Sequence, residues 1–132
     1  MIQKDYIERI LEQLNHFLLS IAGHKENQNF ELAIDQAKQA YYCFGVSKRY
    51  LLEGECEELL EDLIKKGFSA QEIERLGFIL KEEGDILSQQ KHPDAALIHY
   101  RKSLTVLETL SERDRTYSIN REEYILYLKD VV

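Results

Sequence analysis

A single proline, Pro93, stands in 132 residues, so almost nothing in the chain forbids long helices. Proline removes a backbone donor and clashes with the preceding turn, and its rarity leaves six glycines as the main punctuation. Between these stops, apolar residues return at three- and four-residue steps, the period of a helix with one buried face. From Tyr6 to Ala22 the residues Ile7, Ile10, Leu11, Leu14, Phe17, Leu18 and Ile21 form such a stripe. No stretch has the alternating, β-branched-rich pattern of a strand. The chain is therefore expected to be all-α, a single helical domain over residues 1–132 around one core.

Helix one is expected to fade around Gly23, and the polar run His24 to Asn29 has a length that joins antiparallel helices. A second stripe of Phe30, Ala33, Ile34, Ala37, Ala40, Tyr41 and Phe44 ends at Gly45 and closes a first hairpin over residues 2–45. Its alanines form a smooth ridge that lets helix one come close. Ser47 predicts the cap of a linking helix over 47–66, with Leu52, Cys56, Leu59, Leu60, Leu63 and Ile64 inward and Gly54 weakening its first turns. Gly67 gives the next stop. Ser69 and Glu72 read as a capping box for a fourth helix with Ile73, Leu76, Leu80 and Leu87, running to about Lys91. Pro93 beside Asp94 opens a fifth, with Ala96, Leu97, Tyr100, Leu104 and Leu107 inward, so that residues 69–110 make a second hairpin. The polar run Ser111 to Ser118 breaks the period. Asn120 with Glu123 then predicts a capped C-terminal helix over 120–130 with Tyr124, Ile125 and Leu128 inward, and the total is about six helices.

The formal net charge of -7 repels a phosphate backbone, and Lys48-Arg49, Lys65-Lys66 and Arg113/Arg115 are isolated pairs near expected helix ends, where cations complement the helix dipole. Nucleic acid is not an expected partner. No run reaches the roughly twenty apolar residues of a membrane span, and the start Met-Ile-Gln-Lys-Asp-Tyr lacks the apolar centre of a signal peptide, so a cytoplasmic location without membrane contact is expected. Cys43 and Cys56, outside any CxxC spacing, are expected to be buried free thiols.

The residues offer little catalytic chemistry. His16, His24, His92 and His99 form no pair at the spacing that puts two ligands on adjacent helical turns, so neither metal nor cofactor is expected. The carboxylates Glu53, Glu55, Glu57, Glu58, Glu61 and Asp62 fall largely opposite the apolar stripe and read as a solvated face, with a basic docking partner as the alternative. There is no Gly-x-Ser-x-Gly elbow and no glycine-rich phosphate loop, so the chain is not expected to be an enzyme. A small helical enzyme or carrier built around His16 is the least favoured alternative. Tyr41, Tyr42, Tyr50, Tyr124 and Tyr127 read as core-rim residues or interface anchors.

An internal similarity pairs Ala33 with Ala96, Ile34 with Leu97, Lys38 with Arg101 and Ala40 with Ser103, at a shift longer than the about 34 residues of a tetratricopeptide unit. Leu80, Gly84, Leu87, Ala96 and Tyr100 follow the large, glycine, large, small, aromatic order of a tetratricopeptide hairpin, which Ile73 to Leu110 resembles. Ala37, Ser103 and Glu108 depart from that pattern. The start Met1-Ile-Gln-Lys-Asp-Tyr-Ile-Glu-Arg-Ile-Leu-Glu-Gln-Leu and the segment Leu80-Lys-Glu-Glu-Gly-Asp-Ile-Leu also resemble an uncharacterised bacterial family of small, tetratricopeptide-like helical proteins. The resemblance implies a scaffold in a Gram-positive cytoplasm and transfers no catalytic residue. By analogy with tetratricopeptide grooves, Phe78, Lys81, Asp85, Ser88 and Gln89 are the expected binding residues for a protein or peptide, Asp85 favouring a basic or neutral one. A homodimer without a groove is the alternative.

Overall fold

The computed structural model describes the backbone of residues 4–132 and the side chains of residues 9–132. The expected start of the first hairpin at residue 2, and the inward placement of Ile7, lie outside the described residues. Helices α1 (Lys4–Glu26), α2 (Phe30–Tyr42), α3 (Lys48–Glu53), α4 (Cys56–Lys65), α5 (Ala70–Gln89), α6 (Pro93–Arg113) and α7 (Ile119–Val131) follow one another, and no strand occurs among the described residues. The fold is all-α. Among the described residues seven helices stand where about six are expected, because the linking helix divides.

The division falls at Gly54. Its backbone is extended, with φ -68° and ψ 159°, and the next residue caps a new helix. The Glu55 carboxylate accepts from the Glu57 and Glu58 amides at 3.2 and 3.0 Å, satisfying two of the donors that a helix start leaves free. The break resets the helical register. Leu51 is fully buried while Leu52 is only half-buried, and Ile64, expected inward, is 48% exposed.

Gly23 does not end α1. An interior glycine costs only about 1 kcal/mol relative to alanine, and the turn beyond it is anchored by Lys25, whose ammonium meets Glu82 and Asp85 of α5 at 2.7 and 3.0 Å. The chain leaves α1 instead at Gln28, in the left-handed region with φ 61°. Asn29 N then donates to His24 O, the bond that closes a left-handed helix stop. Lys91 (φ 65°) ends α5 in the same way, with His92 N donating to Leu87 O. Neither stop uses a glycine. Gly67 (φ 100°), after α4, does use one, as its position in the sequence predicts.

Other boundaries follow the expected chemistry in part. Ser47 caps α3 by accepting from Tyr50 N at 3.1 Å, and Pro93 is the first residue of α6. Ser69 precedes α5 but makes no capping bond; its hydroxyl donates to the Glu72 carboxylate instead. α6 continues to Arg113, where the guanidinium pairs with Glu57 and Glu61 of α4. α7 begins one residue before Asn120, and its cap is Ser118, which accepts from Arg121 N at 3.2 Å.

α5 lies at the centre. α1, α2, α6 and α7 all pack on it, while α3 and α4 lie against α6. The approach of α5 to α6 is close because α5 carries glycine where α6 is bulky. A Cβ at Gly84 would stand 2.7 Å from the Tyr100 ring, and one at Gly77 would stand 2.5 Å from Leu107 Cδ2. Ser103 fills the remaining gap and donates to Gly77 O at 2.6 Å. The main core, which includes Leu14, Ile21, Ala37, Leu60, Ile73, Leu80 and Val106, draws on α1 to α6. A separate cluster of Phe78, Ala96, Tyr100 and Leu107 holds Ile125 and Leu128 of α7.

Candidate functional site

Because neighbours surround α5, its polar face is inside the protein. Glu72, Glu74, Glu82, Glu83 and Asp85 are each no more than 8% exposed. An unpaired buried carboxylate costs several kcal/mol of desolvation, on the order of 3–5 when a partner is removed, so each must find a donor. Glu74 meets Arg75 and Arg121 at 2.8 Å each. Glu82 meets Lys25 at 2.7 Å and Lys81 at 3.0 Å.

Glu83 joins four helices. It accepts from the Tyr41 hydroxyl of α2 at 2.7 Å, pairs with Lys48 of α3, and lies 3.2 Å from Nε2 of the buried His99 on α6. The other ring nitrogen of His99 lies 2.8 Å from Ala95 O. Burial pushes the Glu83 carboxyl up, but His99 and Lys48 more than offset that and bring it down to about 2. Burial of the Tyr41 ring and the Glu83 charge beside it push the Tyr41 hydroxyl well up.

Asp85 collects donors on the side of α5 that α7 covers. Its Oδ2 pairs with Lys81 at 2.6 Å and Lys25 at 3.0 Å, while its Oδ1 accepts from the hydroxyls of Tyr100 at 2.6 Å and Tyr127 at 3.2 Å. Burial works against the charge, yet Lys81, Tyr100 and Lys25 hold Asp85 below its usual range. Lys81 is also lowered by burial and raised more by Glu82 and Asp85, so it ends above its usual value. The cluster is an ion-pair network that ties α1, α5, α6 and α7 together.

The five expected binding residues fall in two places. Phe78 is 4% exposed and stacks on Tyr124 of α7, with ring centroids 3.9 Å apart. Lys81 lies under the same helix, its ammonium 4.5 Å from the Tyr127 ring centre, and Asp85 is buried as described. Ser88 and Gln89 are exposed. α7 thus covers the Phe78, Lys81 and Asp85 part of the groove, and the sequence gives no sign of that because helix order does not say where the last helix returns. Beyond the covered part, Ser88 shares an open cleft with Pro93, Ala96, Leu97, Tyr127 and Val131, between the start of α6 and the end of α7. Leu97 and Val131 are half-buried there and Tyr127 is 43% exposed.

The other candidate groups are dispersed. His16 and His92 are exposed and His24 is half-buried. No group of three or more histidine, cysteine, aspartate or glutamate side chains suited to a metal occurs among the described residues, and no described helix is long and apolar enough to cross a membrane. Much of the acidic run is engaged within the chain: Glu55 caps α4, Glu57 and Glu61 face Arg113, and Asp62 accepts from the Tyr50 hydroxyl at 2.6 Å. Cys43 is half-buried and Cys56 buried, and burial raises both thiols. Comparison with family models, curated proteins and solved structures finds no match to this chain.

Proposed function

We propose that this protein is a small helical scaffold that binds another protein or peptide, and that its docking site is the cleft between the start of α6 and the end of α7. One observation carries the reading: Leu97, Tyr127 and Val131 leave apolar surface accessible in a concave position beside Pro93 and Ala96. Concave, largely apolar sites with a few polar groups are where ligands bind. Ser88 at the cleft edge supplies such a polar group. The likeness of Ile73 to Leu110 to a tetratricopeptide hairpin, a binding motif, points the same way.

A photo-cross-linking residue at Leu97 tests the assignment, with another at the exposed Leu32 as control. Partners captured from Leu97, absent from Leu32, and lost in a Tyr127→Ala/Val131→Asp variant that keeps its helicity are the expected result. Identical captures from both positions refute the cleft.

A further inference from the structure

We infer that α7 is an exchangeable helix, and that the α5–α6 groove accepts α7 from a second copy of this chain to form a reciprocal dimer. Three observations meet here. First, α7 contributes no buried residue to the main core; Ile125 and Leu128 belong to the separate cluster with Phe78, Ala96, Tyr100 and Leu107. Removing α7 from its groove therefore opens that cluster and leaves the core of α1 to α6 closed.

Second, besides its apolar packing on α6 and the Arg121–Asp114 pair at 2.8 Å, the joint includes directional contacts to α5 that any copy of α7 satisfies equally. Tyr124 stacks on Phe78, Tyr127 sits over Lys81 and donates to Asp85, and Arg121 meets Glu74 at 2.8 Å. The occupant that fits this set is the one whose residues are already matched to it. Third, Asp114 to Ser118 is a short connector between α6 and α7, and its Arg115, Thr116 and Tyr117 are exposed.

Exchange of an identical element conserves the contacts of the closed monomer outside the connector, where Thr116 N donates to Asp114 Oδ1 at 3.1 Å, so the balance depends on the connector and on concentration. A short connector holds α7 near its own groove at an effective concentration on the order of millimolar, so the monomer is favoured in dilute solution. The inference stands apart from the cleft assignment, because no other partner is involved.

The test uses the full chain refolded at concentrations from about ten micromolar to about one millimolar, the span set by that effective concentration, with light scattering as the readout. A dimer fraction that rises with refolding concentration is expected, together with a mostly dimeric product at every concentration once Arg115 to Tyr117 are deleted. A second measurement decides the matter if that deletion does not fold. One copy carries Tyr124→Ala/Tyr127→Ala and keeps its groove; an isotope-labelled copy carries Phe78→Ala/Lys81→Ala and keeps its α7. Co-refolding is expected to give a mixed dimer by native mass spectrometry, while each variant alone stays monomeric. Absence of the mixed dimer overturns the inference. So does a dimer that persists when Tyr124 and Tyr127 are replaced in both copies, since that dimer would be a contact between outer faces.

Discussion

Replacing Gly84 by alanine should destabilise the protein although alanine is the better helix former. In an open helix the change gains about 1 kcal/mol. At Gly84 the new Cβ stands 2.7 Å from two carbons of the Tyr100 ring, well inside contact distance. The ring has little freedom to retreat, because its hydroxyl is held by Asp85 at 2.6 Å and Tyr127 packs edge-on with centroids 6.4 Å apart. Overpacking costs about 1–3 kcal/mol, and a displaced Tyr100 also forfeits a bond to a charged group worth about 1.5–3 kcal/mol. The net loss is about 2 kcal/mol, which for a chain of this length lowers Tm by roughly 8 °C. Gly23→Ala is the control. Nothing lies within 4 Å of a Cβ there, so the variant should gain about 0.5–1 kcal/mol. Urea denaturation followed by helical circular dichroism gives both values. If Gly84→Ala matches or exceeds the wild type while Gly23→Ala gains as expected, α5 and α6 do not approach as closely as described and the argument fails.

Phe78→Ala should cost about 3 kcal/mol, the lower end for a buried phenylalanine, and hydrogen exchange should show α7 amides losing protection before those of α1. Stability should also fall on acidification. The Glu83 carboxyl is held at about 2 in the folded chain, below its unfolded value, so the unfolded state binds the proton first as pH drops. The contribution, about 3 kcal/mol from a shift of this size, is fully present above about pH 4.5 and is lost toward pH 2. Glu83→Gln should be less stable at pH 7 and should show a shallower loss between pH 4.5 and 2 by urea denaturation. Glu55→Ala removes the cap of α4 and should cost about 1 kcal/mol, measured the same way; no change would mean that α3 and α4 are separated by Gly54 alone.

Helical structure and most inner stripes were legible because they depend on period and on breakers. Ile10, Leu14 and Ile21, the ridge of Ala33, Ala37 and Ala40, and Leu59, Leu60 and Leu63 are all buried as their spacing predicts. Stops were less legible. Gln28 and Lys91 take the left-handed conformation without being glycine, while Gly23 continues its helix, because packing across α1 and α5 outweighs a local preference of about 1 kcal/mol. The site was half legible. Phe78, Lys81 and Asp85 could be placed together on one side of a helix, but not under α7.

The amino-acid order by itself determined the fold class and most of the apolar residues that turn inward, since these follow from local geometry. Only the tertiary structure decided that α5 is surrounded. Nothing along the sequence marks Glu74, Glu82, Glu83 and Asp85 as buried, because a carboxylate's ordinary place is in water. They are buried here because Lys25, Lys48, His99 and Arg121 reach them from four other helices, and no pattern along one helix records which charges another will supply.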